Sequence, residues 1–236
     1  MKLYQQPTNH SCTQAATAML LSHFDIEKTP ENILESVPVR SWPGSSEPAG
    51  TPPQDVAAYV CKLGLAVEIV SFDVRVTDLS WQGKTTEFIE KRLKAASGKL
   101  TAPVIGRKGT ELYIQAYIDY IAAGGKLSVQ QAPTRELLHD LLKEAPFVAF
   151  VAYDTLWGTG KSINGPGLRE SKADDILGGS ANHAIVVSRS VGDDFEVYDP
   201  WHEPGIETVK ADHLLAAIAT AQQECDNLLI VVRRRK

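Results

Sequence analysis

Residues 183–200 have the sequence HAIVVSRSVGDDFEVYDP, the clearest signal of an antiparallel β-hairpin in the chain. The run at 183–191, with its apolar centre at 184–187, and the alternating run at 195–200 are typical of strands. The glycine and two aspartates between them favour the tight turn that joins such strands. A hairpin of this kind places the start of its first strand beside the end of its second, so we expect His183 and Asp199 to be neighbours.

Strand patterns dominate the chain after Pro146, and helical patterns dominate it before Pro146. The expected elements of the C-terminal part are further strands at 147–153 and 228–234 and one helix between the hairpin and the last strand. Before Pro146, helices are expected to begin at Cys12, Pro30, Pro53, Thr86, Glu111 and Arg135, with a loop at 41–53 and short strands at 66–72 and 127–130. This order predicts an α+β fold in a single domain of residues 1–236. A helical part, about 1–145, would pack on a C-terminal antiparallel sheet, about 146–236.

The composition is that of an ordinary globular domain, with 236 residues of which 43% are hydrophobic and 22% are charged. A formal net charge of -5 argues against a general nucleic-acid binder, because phosphate contacts need a basic face. No run approaches the roughly 18 consecutive apolar residues that a membrane span requires. The first residues also lack the apolar stretch of a signal peptide. We therefore expect a cytoplasmic protein, or one exported without a cleaved signal peptide.

The three cysteines, Cys12, Cys61 and Cys225, are far apart and form no CxxC pair. This spacing argues against a disulfide framework and against a structural zinc site. Cys61 and Cys225 lie within apolar helical patterns and are expected to pack in the interior. Cys12 stands at the predicted start of a helix, where backbone N–H groups and the helix dipole favour a thiolate. The alternative is that Cys12 is only a small apolar residue at a helix start.

Three more residues could complete a site around a reactive Cys12 thiol. His183 could act as a base, and Asp199 beside it could fix the tautomer and orientation of the imidazole. Gln6 could donate from its amide to an oxyanion, although Gln5 competes for that role. Each residue also has a purely structural interpretation: a hydrogen-bonded histidine of the core, an Asp-Pro turn, and an ordinary glutamine.

The motifs of both ends of the chain resemble one known family. The matching features are Gln6 six residues before Cys12, Ala15, Ala16 and Met19 in the following helix, His183-Ala-Ile-Val-Val, and Tyr198-Asp199-Pro200. Together they are similar to the bacteriocin-processing peptidases, papain-like cysteine peptidases that cleave after a double-glycine leader, and to their stand-alone relatives. The resemblance covers residues 3–35 and 181–201.

The resemblance implies a papain-like fold in which Cys12 is the nucleophile and His183 the general base and acid. It implies Asp199 as the orienting residue and Gln6 as a donor in the oxyanion hole. The chain departs from the usual Asp-Cys-Gly of the family, because Ser11 and Thr13 flank the cysteine. This departure bears on the class of substrate more than on the mechanism.

A long polar and glycine-rich segment, residues 154–181, ends just before His183. Segments of this length inside a compact domain are usually functional or disordered, and this position favours a functional loop. We expect Trp157, Asn182 and Trp201 to bind substrate beside the site, while burial in the core is the alternative for both tryptophans.

The sequence as a whole predicts a cysteine peptidase that cleaves a peptide or isopeptide bond in a peptide or protein substrate. No metal or organic cofactor is expected, nor a nucleic-acid partner or a membrane span. One alternative is a transglutaminase-like or other acyltransferase that uses the same triad with an amine as acceptor. A second alternative is a catalytically silent binding module on a papain-like scaffold.

Overall fold

Eight α-helices and eleven β-strands make up the described part of the chain. The computed structural model describes residues 1–41, 46, 48–97, 99, 110–163, 172–201, 205–221 and 227–235. The helices are α1 (Cys12–His23), α2 (Pro30–Ser36), α3 (Pro53–Lys62), α4 (Thr86–Ala96), α5 (Thr110–Ala122), α6 (Arg135–Leu142), α7 (Tyr153–Trp157) and α8 (Ala211–Thr220). The strands are β1 (Arg40–Ser41), β2 (Pro48–Gly50), β3 (Ala66–Ser71), β4 (Lys126–Val129), β5 (Phe147–Ala152), β6 (Ser162–Ile163), β7 (Lys172–Ala173), β8 (Asn182–Val191), β9 (Asp194–Asp199), β10 (Gly205–Val209) and β11 (Leu228–Arg233).

A seven-stranded sheet in the order β10-β9-β8-β5-β11-β3-β4 forms the centre of the fold. The predicted hairpin is confirmed: β8 and β9 are antiparallel, and Val191 pairs with Asp194 across the turn. The start of β8, the end of β9 and the end of β5 therefore lie at one edge of the sheet. The ends of β3 and β4 and the start of β11 lie at the same edge.

The sheet is mixed. Its C-terminal strands, β5, β8, β9, β10 and β11, pair antiparallel as predicted. Strands β3 and β4, from the mainly helical part of the chain, extend the same sheet and pair in parallel, with Ile69 opposite Leu127. A parallel pair needs a long crossover connection. Helices α4 and α5, which lie between the two strands in sequence, supply it.

Helices cover both faces of the sheet, and those of the second face include α7 and α8 from the C-terminal part of the chain. On the first face, α1, α3, α4 and α5 pack against side chains such as Val148 and Val186. On the second face, α6, α7 and α8 pack against neighbours such as Ala149 and Ile185. Because both faces are covered, all six residues of β5 are buried and apolar. The apolar runs of the sequence reflect this three-layer arrangement.

Helix α1 is the central helix of the first face. Its bounds agree with the prediction, and nine consecutive residues from Thr13 to Leu21 are buried. A helix that is buried on all sides belongs to the interior, where packing rather than a solvent-exposed face fixes its position. The burial of α1 thereby fixes the place of its first residue, Cys12, at the sheet edge described above.

Local sequence signals explain several other helix boundaries. Thr29 and Asn32 form a reciprocal capping box at the start of α2, as the Thr-Pro pair predicts. Thr85 and Thr134 cap α4 and α6 through their side chains. Four short features were not predicted: the β1-β2 pair inside the expected loop, the β6-β7 pair, the edge strand β10 and helix α7. Among the described residues, no helix is long and apolar enough to cross a lipid bilayer.

Tyr120 of α5 joins the parallel strands through its buried hydroxyl. This hydroxyl accepts from the N–H of Ile69 at 3.0 Å and lies within donating distance of two carbonyls, Lys126 at 2.8 Å and Val67 at 3.0 Å. Gly125 passes so close to the ring that a Cβ there would overlap it. The tyrosine ring thus occupies space that only a glycine leaves open.

We expect Tyr120→Phe to lower the free energy of unfolding by about 1–3 kcal/mol, because it leaves a buried N–H and a buried carbonyl without a partner. Urea denaturation of the wild type and the variant measures the difference. Tyr59→Phe, which removes a hydroxyl from a partly buried ring on α3, is the matched control and should change the free energy of unfolding much less. Equal effects of the two substitutions would contradict this role of Tyr120.

Candidate active site

A buried His-Asp pair lies at the sheet edge where β8 begins and β9 ends. Nε2 of His183 is 2.7 Å from Oδ1 of Asp199. Both residues are buried, with 3% and 5% of their surface exposed. The hairpin brings the two side chains together, since the first residues of β8 face the last residues of β9.

The Asp199 carboxylate accepts three hydrogen bonds. Oδ1 accepts from His183 and from the backbone N–H of Trp201 at 2.9 Å, and Oδ2 accepts from the indole N–H of Trp157 at 3.0 Å. Burial alone would raise the pKa of Asp199, but the positive charge of His183 and these donors outweigh burial and lower the pKa. The carboxylate is therefore an ionised and oriented partner of the imidazole.

The thiol of Cys12 interacts with the imidazole of His183. The backbone N–H of Ala184 and the side chain of Thr13 also act on the thiol, and all three interactions favour its ionised form. Because Asp199 engages Nε2, Nδ1 is the ring nitrogen left for the thiol. Cys12 as a residue is partly buried rather than fully enclosed.

The three groups shift one another's pKa values towards a charged state. Burial raises the pKa of Cys12, but the hydrogen bond and charge of His183 outweigh burial and lower that pKa. Burial lowers the pKa of His183, but Asp199 and Cys12 outweigh it and raise that pKa to about 10. Both shifts favour the thiolate and imidazolium over the neutral thiol and imidazole. A thiolate is the reactive form of a cysteine nucleophile.

Two aromatic rings enclose the imidazole edge to face. The ring centroids of Tyr153 and Trp201 lie 5.5 and 5.6 Å from that of His183, and both rings are nearly perpendicular to it. Such rings restrict water around the His-Asp pair, which strengthens its electrostatic interaction. Sequence reasoning missed Tyr153, because it is the last residue of an apolar run that predicts a strand.

Gln6 is buried where the N-terminal segment crosses the end of β9, whereas the neighbouring Gln5 is exposed. The backbone N–H of Gln6 donates to the carbonyl of Pro200 at 2.8 Å. Its side-chain Nε2 donates to the carbonyl of Thr8 at 2.8 Å, and its buried Oε1 has no hydrogen-bond partner. Gln6 thus lies between the residue after Asp199 and the turn that precedes α1.

In the turn that precedes α1, the side chain of Ser11 does not cap the first N–H groups of the helix. Ser11 occupies the N-cap position, but its hydroxyl donates to the carbonyl of Thr8 at 3.0 Å and accepts from the N–H of Thr8 at 2.8 Å. Helix N-termini of this kind carry partial positive charge and can donate to an anion.

The remaining residues singled out in the sequence have separate positions. Asn182 is partly buried at the start of β8, opposite Ala152, and Trp157 is on α7 with its indole directed at Asp199. Substrate binding by Asn182, Trp157 and Trp201 stays a prediction. Cys61 packs in the core of the first face, where burial raises its pKa. Cys225 lies outside the described residues. The described part of the chain contains no group of three potential metal ligands.

Comparison of the sequence with models of protein families and with curated proteins gives no match. Among solved structures, the chain is similar to a crystal structure from Bacillus anthracis described as a "putative C39-like peptidase". The similarity covers 100% of this chain and 95% of the other, with 12% sequence identity and a TM-score of 0.47. Values this low establish neither a common family nor a common activity.

We expect Cys12 to react with iodoacetamide at a lower pH than an ordinary thiol, whose pKa is about 8.5. As the pH falls, an ordinary thiolate is lost near that value, but Cys12 stays ionised until the pH falls through its lowered pKa. Alkylation at a series of pH values, followed by digestion and mass spectrometry of the Cys12 peptide, gives the midpoint.

His183→Ala is the control for this measurement, because it removes the charge that lowers the pKa of Cys12 while leaving the cysteine in place. The midpoint should move to higher pH in this variant. Superimposable profiles for the wild type and His183→Ala would show that the imidazole does not activate the thiol. Buried Cys61 serves as an internal check that the fold stays closed during labelling.

Proposed function

We propose that this chain is a papain-like cysteine peptidase, in a single domain of residues 1–236, that cleaves a peptide or isopeptide bond. Cys12 is the nucleophile, His183 the general base and acid, and Asp199 the orienting residue. The observation that carries the proposal is one continuous chain of contacts, from the Cys12 thiol to the His183 ring and from that ring to Asp199 at 2.7 Å. A silent binding module would have no need for a lowered thiol pKa at a partly exposed cysteine.

The reaction begins when the Cys12 thiolate attacks the carbonyl carbon of the substrate. The carbonyl oxygen becomes an oxyanion, which the backbone N–H of Cys12 and the side-chain amide of Gln6 stabilise. The tetrahedral intermediate then collapses, the C–N bond breaks, and the imidazolium of His183 gives its proton to the departing amine. An acyl group remains on the Cys12 sulfur as a thioester.

Deacylation uses the same groups, but His183 now acts as a base instead of an acid. Neutral His183 takes a proton from an incoming water as the water oxygen attacks the thioester carbonyl. The acid product leaves, the sulfur departs as thiolate, and His183 is again protonated. Throughout both halves, Asp199 holds the ring through Nε2, so that Nδ1 remains directed at the sulfur.

Replacing the members of the site should separate their roles. We expect Cys12→Ala and His183→Ala each to reduce kcat/KM by about 10⁴-fold or more, because each removes a group that takes part in bond making. Asp199→Asn should retain part of the activity, since an amide oxygen can still accept from the ring. Hydrolysis of a library of fluorogenic peptides measures these changes, with circular dichroism to verify folding.

A further variant tests the oxyanion role. Gln6→Ala should reduce turnover by about 10²–10³-fold while leaving the alkylation of Cys12 unchanged, because the amide acts on the intermediate and not on the thiolate.

Full activity of Cys12→Ala would contradict the whole assignment. If addition of a primary amine diverts the acyl group to an amide product, the chain is an acyltransferase with the same triad.

A further inference from the structure

One short helix contacts both members of the His-Asp pair. Helix α7 follows β5 directly and carries Tyr153 and Trp157 four residues apart, on the same face. The Tyr153 ring packs edge to face against His183, and the Trp157 indole N–H donates to Asp199. A single helical turn therefore reaches the imidazole with its first residue and the carboxylate with its last.

The two oxygens of Asp199 are held by different parts of the chain. Oδ1 accepts from His183 and from the N–H of Trp201, both of which lie on the strands of the hairpin or just after them. Oδ2 accepts from Trp157, which belongs to a different segment. A carboxylate held at only one oxygen can rotate about its Cβ–Cγ bond, and a donor on the second oxygen restrains this rotation. Because Asp199 is 5% exposed, bulk water has little access to replace that donor.

Helix α7 is itself held firmly enough to serve as a support. Leu156 is buried in the core of the second face, and Gly158, with φ of 65°, ends the helix in the left-handed region. The N–H of Tyr153 donates to the carbonyl of Ala181 at 2.9 Å, two residues before His183. These contacts tie the helix both to the core and to the backbone that leads into β8.

We propose that Trp157 is a positioning residue: its indole N–H fixes the Asp199 carboxylate, and through it the imidazole of His183 that activates Cys12. This inference rests on the proposed function and adds a fourth side chain to the relay. The proposal also gives a function to the first residues of segment 154–181, because residues 154–157 belong to helix α7.

The positioning role and a substrate-binding role make different predictions without any substrate. A positioning residue changes the ionisation of Cys12 in the free protein, because it acts through Asp199 and His183. A residue that only binds substrate leaves the free thiol unchanged. Iodoacetamide is a suitable probe, since it reports the thiolate of Cys12 and needs no peptide-binding site.

The test is the pH dependence of Cys12 alkylation in Trp157→Phe, which keeps an aromatic ring but lacks the N–H donor. Loss of a hydrogen bond to a charged group should move the alkylation midpoint up by about one pH unit, with an approximately tenfold lower rate below the midpoint. Trp81→Phe is the matched control, because Trp81 is a partly buried tryptophan that packs against the core of the first face. Its profile should overlay that of the wild type.

If folded Trp157→Phe has the same alkylation midpoint as the wild type, the positioning role is wrong. The proposed function is unaffected by that result, provided that the wild-type midpoint lies below that of an ordinary thiol. If the wild-type midpoint itself is that of an ordinary thiol, the proposed function fails instead. Should Trp157→Phe lose its cooperative thermal unfolding, benzothienylalanine at position 157 gives the same test. This residue keeps the shape of the indole and replaces the N–H by sulfur.

Discussion

The hydrogen-bonded ion pair between His183 and Asp199, 2.7 Å long and almost completely buried, is the interaction on which the candidate site depends. Burying an imidazolium and a carboxylate together is costly, and the cost is offset only when both are well paired and the remaining lone pairs are satisfied. Here the carboxylate has donors from Trp157 and Trp201, and the imidazolium also interacts with the thiol of Cys12. Each partner thereby stabilises the charge of the next.

The fold brings these groups together from distant parts of the chain. The β8-β9 hairpin supplies the ion pair, the buried helix α1 carries Cys12 to the same edge of the sheet, and the segment before α1 brings Gln6 against the end of β9. Only the hairpin is local in sequence, and the other two placements bring together residues that are far apart in the chain. The seven-stranded sheet supports these groups, and its central strands are apolar on both sides because helices cover both faces.

Much of the fold and the core of the candidate site could be predicted from the sequence, because strong local signals carry them. The bounds of α1 follow from its apolar pattern, and the closeness of His183 and Asp199 follows from the geometry of a tight hairpin. The parallel pairing of β3 with β4 could not be predicted, because a four-residue strand such as β4 does not specify its partner. Helix α7 was missed because five residues show no helical period, so the bond from Trp157 to Asp199 had no local signature.

The charge of the His183 ring in the free protein tests the account most directly. An ordinary imidazole, with a pKa near 6.5, is neutral at about pH 8. Nitrogen NMR of ¹⁵N-histidine-labelled protein at that pH, with His183→Ala to assign the signal, distinguishes the two charge states. We expect an imidazolium with protons on both ring nitrogens, because Asp199 and the Cys12 thiolate hold it in the charged form. A neutral His183 ring under these conditions would contradict it.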